Sequence, residues 1–353
     1  MLKQLVASGG MSLYKRGAED GNAIHLPSWA WGVLFLNFVI FIPITLYVSY
    51  TLGSLFPTLA MVEDPNPPAY ERLSLNEDPE TLADDEAAAA APPKPISASL
   101  RALERLVFSV GGWRSNFRGF WCSFAYGVSV AFISGIFMSL PFIPAFVGTL
   151  LATLALVQIS TAWVHIVMTP PNPAPFYRRL PPFKKTFEAT AAPVLALWLA
   201  ATIGGAAPRL VSHLVHLPTW TVGDPNEVPI YGWGDSWKGL VVGVVTFAIW
   251  ALAIIPAHVV LVRVQASLLP PDEDSIIPFD RSFGSSVEPA VVGGKGFVTM
   301  KDAWTTVSRA SWIRIYILHA KVFAATTAAT LLMLVIIIPE VMLMSKKGEP
   351  QGV

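Results

Sequence analysis

Ionisable side chains inside long apolar runs are the residues of this sequence most able to do chemistry. His165, His258, His319 and Lys321 stand within or beside such runs. A polar group that can carry charge is costly in a bilayer, so residues of this kind often line a solute path or make interior contacts. All four are candidates for lining a cavity, and for His319 and Lys321 an amphipathic entry turn before the last apolar run is the favoured alternative. His165 and His258 occupy corresponding ends of two runs, where a hydrogen-bonded pair is the simpler expectation, because two ligands alone do not make a metal site.

Signatures of catalysis and of cofactor binding are missing. Cys122 is the one cysteine, which excludes an intrachain disulfide framework and a CxxC metal site, and its apolar surroundings indicate a packing role. Gly293-Gly294-Lys295-Gly296 lacks the GxxxxGK[ST] spacing of a phosphate-binding loop. Neither HExxH nor GxSxG occurs. The sequence therefore predicts no enzyme, no cofactor and no metal site.

A proline-rich motif offers a different chemistry, the recognition of an extended peptide. Pro67-Pro68-Ala69-Tyr70 is a PPxY sequence, which WW domains bind because polyproline II is already extended. Tyr70 also opens Tyr70-Glu71-Arg72-Leu73, the pattern of a YxxΦ sorting signal. The candidate partner-binding residues are Pro67, Pro68, Tyr70 and Leu73. A proline-rich segment also produces such tetrapeptides by chance, and the motif can act only if its loop faces the cytosol.

The apolar runs themselves predict a membrane protein. Of 353 residues, 53% are hydrophobic and 14% are charged, against about 25% charged in soluble domains. A helix of about 20 apolar residues spans the hydrocarbon core and satisfies its own backbone, and the runs lack the alternation of barrel strands. We expect an all-α membrane protein with six transmembrane helices, at about 29–56, 120–140, 142–168, 189–207, 240–262 and 315–344.

Polar segments flank and divide this membrane domain, which covers 29–344. We expect a polar tail over 1–28, a disordered loop over 63–95 and a second tail over 345–353. Lys and Arg concentrate in the first, third and fifth connections, so the positive-inside rule places these on one side and both termini opposite. The net charge of +0 gives no argument for a nucleic-acid partner. The expected partner is the lipid bilayer, and no oligomeric state is predicted.

Three helix pairs, each joined by a basic connection, indicate an internal repeat of roughly 100 residues. Pro57, Ser160 and Pro256 stand near the ends of the odd-numbered runs at about this interval. The even-numbered runs open on Phe117-Arg118-Gly119 and, more weakly, on Phe183-Lys184-Lys185 and Ser308-Arg309-Ala310.

This repeat resembles that of the mitochondrial solute carrier family. The family ends each odd helix with Pro-x-acidic-x-x-basic and opens each even helix with acidic-Gly, four residues, then aromatic-basic-Gly. The stretch 112–119 fits the second element with Gly111 in place of the acid, 302–310 fits it with three conservative changes, and 256–263 fits the first with His258 at the acidic position. The positions that carry the resemblance are Pro57, Gly112, Arg118, Gly119, Pro256, Arg263, Asp302 and Arg309.

The resemblance implies three pseudo-symmetric helix pairs, a gate of ion pairs between the odd helices, and solute contacts about two turns into the even helices. The gate positions fall on Leu59 and Val62, Ala162 and His165, and His258 and Leu261, so no acid–base pair remains. The solute positions fall on Tyr126, Ala192 and Ile317, which offer no charged anchor. We therefore expect either a transporter of a neutral or hydrophobic solute or a degenerate carrier that does not transport.

The chain resembles, more weakly, a multispan membrane protein family of filamentous fungi whose members are sometimes labelled ubiquitin carrier proteins. A conjugating enzyme needs an accessible, nucleophilic cysteine, and Cys122 lies within an apolar run. The second functional prediction is instead a membrane adaptor that recruits a WW-domain ubiquitin ligase through its PPAY motif. The two predictions differ in location, because a carrier implies a mitochondrial membrane and an adaptor implies the plasma membrane or an endomembrane.

Overall fold

The computed structural model describes residues 29–64, 95–218, 232–287 and 294–344, and the regular structure of these residues is helical. Five helices are long and apolar enough to cross a membrane, and a bent helix pair adds a sixth span if it is counted as one. The predicted fold class, an all-α membrane protein, is therefore confirmed. Spans 1 to 6 are Ala30–Val62, Trp113–Met138, the pair Ala145–Ala155 and Val157–Met168, Phe183–Leu214, Ser236–Ser267 and Arg309–Met344.

The spans and their connections are built from a series of α-helices with a few 3₁₀ and π-helical stretches. In chain order the α-helices are α1 (Ala30–Leu46), α2 (Phe56–Val62), α3 (Leu100–Gly111), α4 (Phe120–Met138), α5 (Ala145–Ala155), α6 (Val157–Met168), α7 (Phe183–Leu214), α8 (Ser236–Ile249), α9 (Ile255–Ser267), α10 (Met300–Thr305) and α11 (Arg309–Met344). Span 1 thus contains α1 and α2, span 3 contains α5 and α6, and span 5 contains α8 and α9.

Each odd-numbered span is interrupted shortly before the position that marks the repeat. The π-helical stretch Tyr47–Leu55 precedes Pro57, and the π-helical stretch Trp250–Ile254 precedes Pro256. Proline lacks an N–H and its ring collides with the carbonyl four residues earlier, so a wider turn before it relieves the conflict. Span 3 has no proline there and instead bends by 56° between its two helices, just before Ser160. Three short terminal helices, α2, α6 and α9, result.

These three terminal helices pack against one another, and we call this packing the helix-end junction. All seven residues of α2 are buried, and Leu59, Ala162 and Val259 are each 0% exposed. Burial of apolar surface contributes about 25 cal/mol per Å². The junction is therefore a buried apolar part of the compact unit formed by residues 53–319.

The connection between spans 5 and 6 is hydrogen-bonded to the ends of the junction. The Ile276 N–H donates to the Met168 carbonyl at 2.8 Å, and the Asp64 N–H donates to the Pro278 carbonyl at 2.9 Å. Farther along, Phe283 packs in a buried cluster with α9. The fifth connection thus covers the junction at the side that carries the basic connections, called the basic side below.

Helix α7 starts earlier than its apolar run. Lys184 and Lys185, which precede the span predicted at about 189–207, lie in the first turn of α7. A helix can continue into the polar interface because its backbone groups remain paired, and long lysine side chains can extend toward water.

A second compact unit contains the described residues 29–52 and 320–344, which belong to spans 1 and 6. Within it, the Asn37 side chain donates a hydrogen bond to the Glu340 carboxylate. Glu340 directly follows Pro339 in α11.

Candidate functional site

The gate positions implied by the carrier resemblance lie on the three helices of the junction. Two fall on α2, two on α6 and two on α9. Leu59, Val62, Ala162, His165 and Leu261 are buried, and His258 is half-buried. Where carriers place ion pairs, the described residues of this chain therefore place apolar packing and two histidines.

His165 makes the main polar contact between α6 and α9. Its Nε2 lies 2.9 Å from the Gln265 carbonyl, and because a carbonyl only accepts, this nitrogen carries the hydrogen. The Gln265 side chain in turn donates to the Ser160 hydroxyl at 3.0 Å. In place of the expected pairing with His258, His165 therefore contacts the backbone of α9.

A buried ion pair, unrecognised in the sequence, joins α2 to α11. Arg314 lies 3.5 Å from Glu63, and their side chains are 7% and 1% exposed. Arg314 also donates to the Glu63 carbonyl at 3.0 Å. The Glu63 carboxylate accepts the N–H groups of Ile96 at 2.5 Å and Ser97 at 3.1 Å. The sequence feature that could have revealed this ion pair is the position of Glu63, an acidic residue directly after an apolar run.

A cavity of about 520 Å³ lies on the basic side, at the start of span 2 and the end of span 3. Three arginines line it, Arg114, Arg118 and Arg179, together with aromatic side chains. Guanidinium groups bind carboxylate and phosphate oxygens through charge-assisted hydrogen bonds. The chemistry of the lining therefore suits an anionic group.

Two of the three arginines are held in place by neighbouring groups. Arg118 donates to the Thr169 carbonyl, and Arg179 donates to the Thr169 hydroxyl at 2.9 Å and to Glu273 at 2.8 Å. Gly112 and Gly119 bracket this turn with φ of 65° and 72°, a region that strains other residues. The backbone geometry of this turn thus explains why glycine occupies positions 112 and 119.

The other motif positions also have structural roles. Pro57 and Pro256 lie at the beginnings of α2 and α9. Arg263 joins α9 to α10 by donating to the Ala303 carbonyl at 3.1 Å and the Thr306 hydroxyl at 2.9 Å. Asp302 lies in the first turn of α10, where its N–H donates to the hydroxyl of the N-cap residue Thr299 and its carboxylate accepts from that hydroxyl. Arg309 is exposed at the start of α11.

The remaining candidate cavity residues lie apart from the arginine-lined cavity. Tyr126 is half-buried on α4, and Lys321 is exposed on α11. His319 donates from Nδ1 to the Ile315 carbonyl at 2.8 Å, and its ring centre lies 5.7 Å from that of Trp250. The described ranges hold no group of three or more His, Cys, Asp or Glu side chains placed to bind a metal. Pro67, Pro68, Tyr70 and Leu73 lie outside the described residues.

No family model matches the chain, and no curated protein or solved structure matches it either. The functional argument therefore depends on the residues and geometry described above.

Proposed function

We propose that this chain is a carrier-like membrane protein that moves a neutral or hydrophobic solute, with the helix-end junction as its gate on the basic side. The mutual packing of α2, α6 and α9 is the observation that supports this proposal. Each helix follows an interruption of its span and carries one of the repeat positions, Pro57, Ser160 and Pro256. The location of these three positions on three short helices supports a threefold arrangement.

The composition of the gate supports an uncharged solute. Its six positions hold apolar side chains and two histidines, and the solute positions of the resemblance hold Tyr126, Ala192 and Ile317. A permanently charged solute would need a counter-charge to cross the hydrocarbon core at low cost. These positions offer none, whereas a neutral solute needs only apolar contacts and occasional hydrogen bonds.

The interruptions in the odd spans supply a physical route to opening. Short π-helical stretches often mark hinges and functional sites, because their backbone pairing is easily rearranged. Movement of α2, α6 and α9 about these points would open the junction without unfolding the helices themselves. Opening would also separate Gln265 from Ser160 and Arg314 from Glu63, so these polar contacts hold the gate closed.

Thiol accessibility tests the proposal without a known solute. Ala162→Cys, in a Cys122→Ser background, is reconstituted in liposomes and treated with a membrane-impermeant maleimide from either face. A gate that opens makes residue 162 reactive, and an alternating gate makes it reactive from both faces. Ser109→Cys, exposed on α3, controls for reagent access. Complete protection of residue 162 while residue 109 reacts would exclude transport and leave a degenerate carrier that does not open.

A second function, recruitment of a WW-domain ubiquitin ligase, is supported by one observation. Glu63 precedes the segment 65–94 and accepts a hydrogen bond from the Ser97 N–H, which follows that segment. The described residues on either side of this segment therefore lie next to each other on the basic side. This arrangement would present the motif to a single compartment, as an adaptor requires.

A further inference from the structure

Glu340 is an acidic residue within a membrane span, near the end of α11. Such a residue usually faces a partner or a functional cavity, because a carboxylate facing lipid is costly. Its partner in the unit that contains 29–52 and 320–344 is the amide of Asn37, a neutral group that is 8% exposed. The contact satisfies part of the hydrogen-bonding capacity of the carboxylate, and among the described residues of this unit no cation lies beside it to compensate its charge.

The same unit contains a groove of about 570 Å³ between α1 and α11. Asn37 lies in the wall of this groove, and Ile337, one helical turn before Glu340, lies in the opposite wall. Most of the lining is apolar. The apolar side chains are Leu34, Phe38, Phe41, Ile42, Leu46, Met333 and Ile337. The volume is in the range of sites for organic molecules of roughly 300–1,000 Å³.

The charges of this unit favour one class of occupant. Among residues 29–52 and 320–344, the charged side chains are Glu340 and Lys321, and they are separated by roughly 28 Å along the helix. Pro339 has no N–H, so the carbonyl of Val335 lacks its usual donor and adds negative potential on the same helix. An apolar groove with a single uncompensated acid at its end complements an apolar body that carries one positive charge.

We propose that this groove binds a lipophilic cation, with its apolar body between α1 and α11 and its positive charge beside Glu340. A zwitterionic lipid fits less well, because its phosphate would approach the same carboxylate, while the basic side chain among the described residues of this unit, Lys321, is roughly 28 Å away along the helix. The site is independent of the helix-end junction, and it does not require that the chain transports a solute.

Binding of tritiated tetraphenylphosphonium to the full chain in nanodiscs tests the proposal, with tetraphenylborate as the anion of matching shape. We expect saturable binding of the cation, competition by unlabelled cation and no competition by the anion. Glu340→Gln keeps the shape of the side chain and its contact with Asn37, and should lower the affinity at least tenfold. Glu104→Gln, on the exposed face of α3, should leave the affinity unchanged.

A second variant fills the groove without changing its charge. Ile337→Trp should also weaken cation binding at least tenfold, with size-exclusion chromatography and melting temperature reporting that the fold is intact. Undetectable saturable binding to the wild type, equal competition by the anion, or wild-type affinity in either Glu340→Gln or Ile337→Trp would overturn the proposal.

Discussion

Glu63 and Arg314 form a buried ion pair that connects the end of α2 to the first turns of α11, with 3.5 Å between the carboxylate and the guanidinium group. The same carboxylate receives the N–H groups of Ile96 and Ser97. Removing two charges from water is costly, and the cost is recovered only when both partners and their hydrogen bonds are present. The pair therefore makes the stability of the unit 53–319 sensitive to either residue.

Replacing Arg314 alone should lower the stability of the folded protein more than replacing both members of the ion pair. Arg314→Met leaves the Glu63 carboxylate buried without its partner, and we expect the free energy of unfolding to fall by about 3 kcal/mol. Denaturant unfolding in detergent measures this change. Arg309→Met removes an exposed arginine from the same helix and should have little effect. The double variant Glu63→Gln with Arg314→Met should recover part of the loss, and a double variant no more stable than Arg314→Met would contradict the ion-pair explanation.

Arg179 and Arg178 offer a matched pair of neighbouring arginines. Arg179 is hydrogen-bonded to Thr169 and Glu273, whereas Arg178 is exposed. Arg179→Met should lower the free energy of unfolding by about 2 kcal/mol, because hydrogen bonds to charged groups are lost. Arg178→Met should change it by less than about 0.5 kcal/mol, as for most surface substitutions. Equal effects in the two variants would show that these contacts contribute little.

Asp280 should give stability a dependence on acid pH. Partial burial raises the pKa of Asp280, but hydrogen bonds from Ser282 and Gly284 outweigh it, so the pKa lies below its ordinary value of 3.8. A carboxyl with a lowered pKa stabilises the folded state above pH 3.8, and this contribution is lost as the pH falls through the pKa of the folded state. Asp280→Asn should therefore reduce the melting temperature at neutral pH, with a difference from wild type that shrinks below pH 3.8. A difference that is constant with pH would contradict the assignment.

The PPxY motif can be tested separately from the fold. Tyr70→Ala should abolish capture of the full-length protein by purified WW domains, because the tyrosine side chain fills part of their aromatic groove. Leu73→Ala disrupts the YxxΦ pattern but keeps PPxY, and should be captured like the wild type. Unchanged capture of Tyr70→Ala would remove the basis for the adaptor function.

The sequence predicted those features that depend on local pattern. Long apolar runs require helices that satisfy their own backbone in lipid, and this requirement predicted the all-α membrane fold. Pro57 and Pro256 were identified only as repeat positions, and the π-helical stretches that precede them were not predicted. The pairing of Glu63 with Arg314 was missed because the residues are 251 positions apart, and that of Asn37 with Glu340 because they are 303 apart. Such contacts depend on how the helices pack, which residue spacing within one span does not report. The bend of span 3 was missed for a related reason, since no proline marks it.

The closure of the helix-end junction is the central structural claim, and cross-linking tests it most directly. Ser160 and Gln265 lie on α6 and α9 with their side-chain polar atoms 3.0 Å apart. In a Cys122→Ser background, Ser160→Cys with Gln265→Cys should be joined within one chain by a short bis-methanethiosulfonate reagent, seen as a shift in gel mobility that reducing agent reverses. Absence of this intrachain product, while each cysteine alone still reacts with a monofunctional reagent, would contradict the junction and the carrier-like gate built on it.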